Sequence, residues 1–131
     1  MIESLAEFIK YFDGIRGRTL KYLAVLPPEQ IDWSPAEGEM TCGDLIRHVA
    51  AAERMFVGVV VDGKWHYLGH GREVAPTLAA ALDHLNAIHA EAMTRLGQAN
   101  DSLLTRPRPT LADFEIKAWR FLMAMIEHEV H

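Results

Sequence analysis

The stretch Leu5-Ala6-Glu7-Phe8-Ile9-Lys10-Tyr11-Phe12-Asp13-Gly14-Ile15-Arg16-Gly17-Arg18-Thr19-Leu20-Lys21-Tyr22-Leu23-Ala24-Val25-Leu26 decides the fold class. Its residues Leu5, Phe8, Phe12, Ile15, Thr19, Tyr22 and Leu26 advance in steps of 3, 4, 3, 4, 3 and 4. That spacing keeps one face of an α-helix apolar for about six turns. Gly14 and Gly17 weaken the helix by up to about 1 kcal/mol each relative to alanine. Pro27-Pro28 stops it, because proline donates no backbone hydrogen bond and restricts the residue before it.

Three further segments repeat the theme. Trp33-Ser34-Pro35-Ala36-Glu37-Gly38-Glu39 has turn residues and no period, so it reads as a loop. Thr41 with Asp44 then forms a variant of the capping box that opens a second helix. The expected inner stripe of that helix is Leu45, His48, Ala52, Met55 or Phe56, and Val59. The run Val57-Gly58-Val59-Val60-Val61 favours β structure locally, but a strand there would stand alone and be hard to stabilise. Residues 62–75 read as a long loop, a length often tied to function. A third helix starts near Pro76-Thr77, with Leu78, Leu82, Leu85, His89, Ala92 and Leu96 inside. Breakers at Asn100-Asp101-Ser102 and Arg106-Pro107-Arg108-Pro109 end it. Thr110 with Asp113 repeats the capping pattern before a fourth stripe of Phe114, Ala118, Phe121, Met125 and His128. The expectation is an all-α protein: one domain over residues 1–131, built as an antiparallel, up-down four-helix bundle.

Composition narrows the function classes. The net charge of −5, with scattered Lys and Arg, argues against nucleic acid as a partner. Met1-Ile2-Glu3-Ser4 lacks the basic start of a signal peptide, and no apolar run approaches the roughly 18 residues of a membrane span. A single cysteine excludes an internal disulfide and fits a reducing compartment. These features predict a soluble, cytoplasmic, acidic and compact protein with no membrane partner. They name no function; the expectation of a small-molecule substrate comes from the candidate site.

The candidate chemistry lies in the histidines. His48 and His128 each replace an apolar residue within an inner stripe. Singly, each is ordinarily a core histidine satisfied by hydrogen bonds. Together on two inner faces they point to a shared divalent metal, which would give both imidazoles a partner. His131 lies about 60° round the helix from His128 and joins them as a candidate third ligand. The next step of the stripe falls at position 132, one past the last residue, so the chain is expected to be truncated at its C-terminus. His66 and His70 sit among loop glycines and read as structural or solvent-facing, with a place at a pocket mouth as the second reading. His89 is expected at the core or its boundary and His84 in solvent. Asp44 is explained by capping, Glu129 by solvation on the helix surface, and Cys42 as a quiet small residue. Trp33 and the 62–75 loop are candidate pocket walls.

The stretch from Trp33 through Glu39, Thr41 and Asp44 to His48 and Glu53 resembles the first motif of the DinB-like family, in which a Trp-containing loop leads into a His-bearing helix. The closing His128-Glu129-Val130-His131 is similar to the start of that family's second motif, His-Glu-x-His-His-Arg-Gly-Gln. The resemblance spans nearly the whole chain. It implies a helical bundle with zinc or nickel held by three histidines, His48 and His128 matching the first two. The third family ligand corresponds to position 132, and His131 matches the neighbouring histidine of the motif. The resemblance also implies two kinds of activity, thiol-dependent transfer or isomerisation using a low-molecular-weight thiol, and metal-dependent hydrolysis. It further implies a homodimer. The reading from a different class is a non-catalytic, stress-response metal-binding module that acts through dimerisation.

Overall fold

The computed structural model describes residues 1–130, so the candidate ligand His131 lies outside the described residues. Four α-helices carry the fold: α1 (Leu5–Leu23), α2 (Cys42–Asp62), α3 (Leu78–Gly97) and α4 (Ala118–Val130). A small antiparallel pair, β1 (Pro107–Pro109) and β2 (Glu115–Lys117), joins α3 to α4. Helix α2 packs along both α3 and α4, and α1 lies against α3 and α4 from the other side. Among the described residues no helix is long and apolar enough to cross a membrane.

Each boundary has a local cause. Ser4 caps α1 by accepting a hydrogen bond from the Glu7 amide, and Leu5, Phe8, Phe12 and Ile15 are buried in the expected 3, 4, 3 order. The helix ends at Leu23, three residues before the end of the sequence stripe. Pro27 has no N–H to offer the Leu23 carbonyl, so the chain tightens through Val25→Tyr22 and Leu26→Leu23 amide–carbonyl bonds. At α2 the Thr41 hydroxyl accepts from the Asp44 amide while the Asp44 carboxylate accepts from the Thr41 amide, completing the capping box. The valine-rich run stays helical because Val57, Val59 and Val60 are fully buried, and packing outweighs their modest helix propensity. Gly63, at φ 71°, closes the helix in the left-handed conformation that glycine adopts without penalty.

The fourth segment departs from expectation. Thr110 does not cap a helix; its hydroxyl donates to the Phe114 carbonyl and accepts from the Ala112 amide at the tip of the β1–β2 hairpin. The pairing sets Pro107 opposite Lys117, Arg108 opposite Ile116 and Pro109 opposite Glu115. Phe114 is therefore an exposed hairpin residue rather than the first member of a helical stripe. The fold is mostly helical with one small sheet, not all-α in the strict sense.

The core has two lobes. One gathers Phe8 and Phe12 of α1, Val57 and Val60 of α2, Leu96 of α3, and Phe121 and Leu122 of α4. The other holds Ile46 and Ala50 of α2 with Ala81, Leu85 and Ile88 of α3. Among the described residues Arg16, Arg47 and Glu53 are buried with them as whole residues, and the Glu129 side chain is nearly as well sealed.

Candidate functional site

His48 stands in the second turn of α2 and His128 near the end of the described part of α4. Eighty residues apart in sequence, their Nε2 atoms meet at 2.9 Å. A hydrogen bond of that length requires one Nε2 to carry a proton and the other to present its lone pair. Burial, then the charges that His128 and His70 would carry, hold the His48 pKa below the usual imidazole value, so His48 is neutral near pH 7. The ring of Phe56 stands edge-on to that of His128 with centroids 6.3 Å apart, which restricts the imidazole on one side. His128 is otherwise exposed, so the pair sits at the edge of the helix assembly and not inside it.

The far nitrogen of His48 leads into the loop after α2. His48 Nδ1 lies 2.7 Å from the Tyr67 hydroxyl, which lies 2.6 Å from His70 Nδ1. One phenol thus bridges two imidazoles. Burial, and secondarily the charge of Asp44, raises the Tyr67 pKa, so the bridging hydroxyl keeps its proton near neutrality. The loop is held by Arg47, whose guanidinium is 1% exposed. Its Nε donates to the His70 carbonyl at 2.7 Å, Nη1 to the Ala75 carbonyl at 2.8 Å, and Nη2 to Asp44 at 2.9 Å. The backbone hydrogen bond from Thr41, followed by Arg47, holds the Asp44 carboxyl below its ordinary pKa. Gly43 makes room for this arrangement: a Cβ there would stand 2.8 Å from Arg47 Nη1 and 3.0 Å from Ile31 Cδ1.

Behind the histidine pair lies a second polar group, buried where the pair is open. Arg16 of α1 donates through Nε and Nη2 to Glu129 at 2.8 and 2.9 Å, and through Nη2 to Glu53 at 2.5 Å. Thr19 donates to the same Glu129 carboxylate at 2.8 Å. His89 of α3 closes the group, with Nδ1 2.7 Å from Glu53 and Nε2 2.6 Å from Asp13. Burial by itself would lower the His89 pKa, but the Glu53 hydrogen bond and charge, with Asp13, outweigh it and raise the value.

Several sequence expectations need correction here. Glu129 is not a solvated surface acid; its side chain is 3% exposed and faces α1. The core-facing line of α4 runs Ala118, Phe121, Leu122 and Met125, and its continuation is Glu129, while His128 turns towards α2. On α2, Leu45 is half exposed and the buried face instead carries Ile46, Arg47, Ala50 and Glu53. His70 joins the site through Tyr67, whereas nothing brings Trp33 to it; Trp33 is 56% exposed and contributes its carbonyl to the Cys42 amide. His84 is partly buried rather than fully in solvent, and its Nε2 has no partner among the described residues.

Two donors of the right type for a metal are therefore present. In a tetrahedral zinc site two imidazole nitrogens on one ion lie about 3.3–3.4 Å apart, so the 2.9 Å contact is a hydrogen-bond distance and the rings would part by about 0.4 Å to share an ion. No three His, Cys, Asp or Glu side chains form a metal-binding group among the described residues. An apolar cleft of about 240 Å³ is lined by Thr19, Leu23, Cys42, Leu45, Val49 and Leu85 among others; it includes none of the histidines, although Val49 follows His48 and Thr19 bonds Glu129. A larger depression of about 560 Å³ on the outer face of α1, lined by Glu7, Lys10, Tyr11 and Arg18, includes none of the histidines.

The sequence matches the family model of the DinB superfamily over residues 11–131. The chain belongs to the DinB superfamily. Its fold is shared with two solved DinB-like proteins. One is from Bacillus cereus, with a TM-score of 0.83 and 20% identity, covering 100% of this chain and 87% of that one. Another is from Bacillus subtilis, with a TM-score of 0.76 and 16% identity, covering 95% of this chain and 82% of that one. Among curated proteins none matches. At these identities the DinB-like neighbours establish the fold alone.

Proposed function

We propose that this DinB superfamily protein binds a divalent metal, zinc or nickel, through His48 and His128, with His131 as third donor, and uses it as an enzyme on a small-molecule substrate. The observation that carries the reading is the meeting of the His48 and His128 Nε2 atoms at 2.9 Å from two separate helices. When bound, such a metal lowers the pKa of a coordinated thiol or water towards neutrality, which serves transfer from a low-molecular-weight thiol or hydrolysis. In that state His48 keeps its proton on Nδ1 and donates it to the Tyr67 oxygen, and Tyr67 donates its own to His70 Nδ1. This fixes the tautomer and ring orientation of His48, as partners of metal-bound histidines generally do. The apolar cleft that includes Val49, the residue after His48, suits the non-reacting part of a small substrate.

Such chemistry requires a site with a free coordination position, in contrast to the closed structural site of a non-catalytic module. The expected up-down antiparallel order is not met: α2 runs parallel to α3, with Arg47 at Ala75, Glu53 at His89 and Asp62 beside Arg95, and antiparallel to α4. We read the protein as a cytoplasmic homodimer. The exposed Tyr11 and Tyr22 on α1 are available to such an interface.

Metal content after dialysis against zinc or nickel tests the site. Wild type is expected to retain metal, and His48→Ala and His128→Ala to lose it. Unchanged stoichiometry in both variants would refute the assignment. For a metal-loaded protein, rates with an electrophile in the presence and absence of small thiols then separate transfer from hydrolysis.

A further inference from the structure

We propose that Arg16 is a positioning residue for the histidine pair: by gripping Glu129 it sets the rotation of the last turn of α4, which aims His128 at His48. The inference deepens the metal-site reading above and rests on it for its functional meaning.

Three observations carry it. First, the last turn of α4 has little apolar anchorage. The buried residues of the helix end with Met125; Ile126 is only partly buried, and Glu127, His128 and Val130 are exposed. Glu129 is the side chain of that turn that is nearly sealed from solvent. Second, its fastening is directional. The Arg16 fork meets both carboxylate oxygens, at 2.8 and 2.9 Å, and Thr19 adds a third bond at 2.8 Å. Paired parallel bonds of this kind fix orientation as well as distance. Third, the same guanidinium reaches Glu53 of α2, five positions after His48 on that helix. Arg16 therefore ties together the two helices that carry His48 and His128.

The geometry of a helix turns this tie into an aiming device. Adjacent residues lie about 100° apart round the axis, so a Glu129 held against α1 leaves His128 directed to the neighbouring side, where α2 runs. If the last turn rotates by a fraction of that angle, the two Nε2 atoms separate although no ligand has changed. Lysine cannot substitute, since its single ammonium lacks the planar fork.

The test uses Arg16→Lys and Glu129→Gln, both of which leave a polar group at the position, with Thr19→Val as a milder third variant. Zinc affinity is measured by competition with a chromophoric chelator, and the visible spectrum of bound cobalt reports ligand geometry. Imidazole ¹⁵N NMR of the metal-free protein reports the His48–His128 hydrogen bond directly. Expected are a 10–100-fold loss of zinc affinity in Arg16→Lys and Glu129→Gln and a smaller loss in Thr19→Val. An altered cobalt spectrum and loss of the paired imidazole signals should accompany them. Arg16→Lys combined with Glu129→Gln should lose no more affinity than the worse single variant, because both break one connection.

Ile88→Val, a core change in α3, serves as the control for general destabilisation. Affinity losses no greater than in that control, with the imidazole signals intact, overturn the proposal. Wild type that binds no zinc, nickel or cobalt defeats the metal reading instead, and the NMR comparison still decides whether Arg16 aims His128. If Arg16→Lys fails to fold, the Glu129→Gln and Thr19→Val measurements decide.

Discussion

His128 and Glu129 are neighbours on one helix, yet they belong to opposite kinds of environment. His128 is exposed and meets a second imidazole; Glu129 is buried and meets a fixed cation and a hydroxyl. The open pair is cheap to disturb structurally. The buried group resists disturbance, because removing one member strands a charge away from water. An exposed contact and a buried charge group at this end of the molecule are thus a single residue step apart.

The largest effect should come from the buried side. Glu53→Ala leaves Arg16 and His89 without a shared carboxylate and should destabilise the protein by about 3–5 kcal/mol, measured by urea unfolding. His48→Ala and His128→Ala, by contrast, should lie within about 1 kcal/mol of wild type in the metal-free state. Equal losses on the two sides would erase the contrast. Next comes Gly43→Ala, which pushes into the Arg47 guanidinium and should cost about 1–3 kcal/mol. Faster amide exchange at His70 and Ala75 would show that Arg47 is what holds the loop.

His89 gives the contrast a pH dependence. Its folded-state pKa is raised, so the stabilisation it contributes is complete below its unfolded pKa of about 6.5 and fades as pH rises through the higher folded value. His89→Gln should flatten that part of the stability–pH curve. A wild-type stability that rises over the same interval, with the variant unchanged, would contradict the assignment. The smallest effect is expected from Tyr67→Phe, which removes the bridging hydroxyl but keeps the ring. Zinc affinity should fall by about tenfold with a stability change under about 1 kcal/mol.

Much of this could be read before any coordinates. The first three helices announce themselves through apolar spacing, the capping box at Thr41 and the start near Pro76-Thr77, features local to each segment. The approach of His48 to His128 was suggested by their stripes, although the pointer was imperfect. A heptad-like count assigns the core direction to His128, while the buried line passes through Glu129, whose charge disguises it as a surface residue. Arg16 and Glu53 were hidden for the same reason, since each is buried only because the other is there. Tyr67 and His70 lie in a loop without periodicity, where tertiary hydrogen bonds alone define position. The hairpin was masked by Pro107 and Pro109, which lack the amide protons that usually mark a paired strand.

That hairpin also works as a ruler. Arg108 donates to the Val60 and Val61 carbonyls, and the Trp65 indole donates to the Pro109 carbonyl, so its base is nailed to the end of α2. The Ala118 amide, at the start of α4, bonds to the Arg106 carbonyl at the same base. The count of residues from this fixed origin to His128 determines which side chain arrives level with His48. Extra residues at the tip, among 110–114, leave the count untouched. One extra residue between Ala118 and His128 would advance the helix by about 1.5 Å and turn it by about 100°, presenting Glu127 in place of the imidazole. Among relatives, length variation should therefore gather at the tip and be absent from the ten-residue span that the ruler measures.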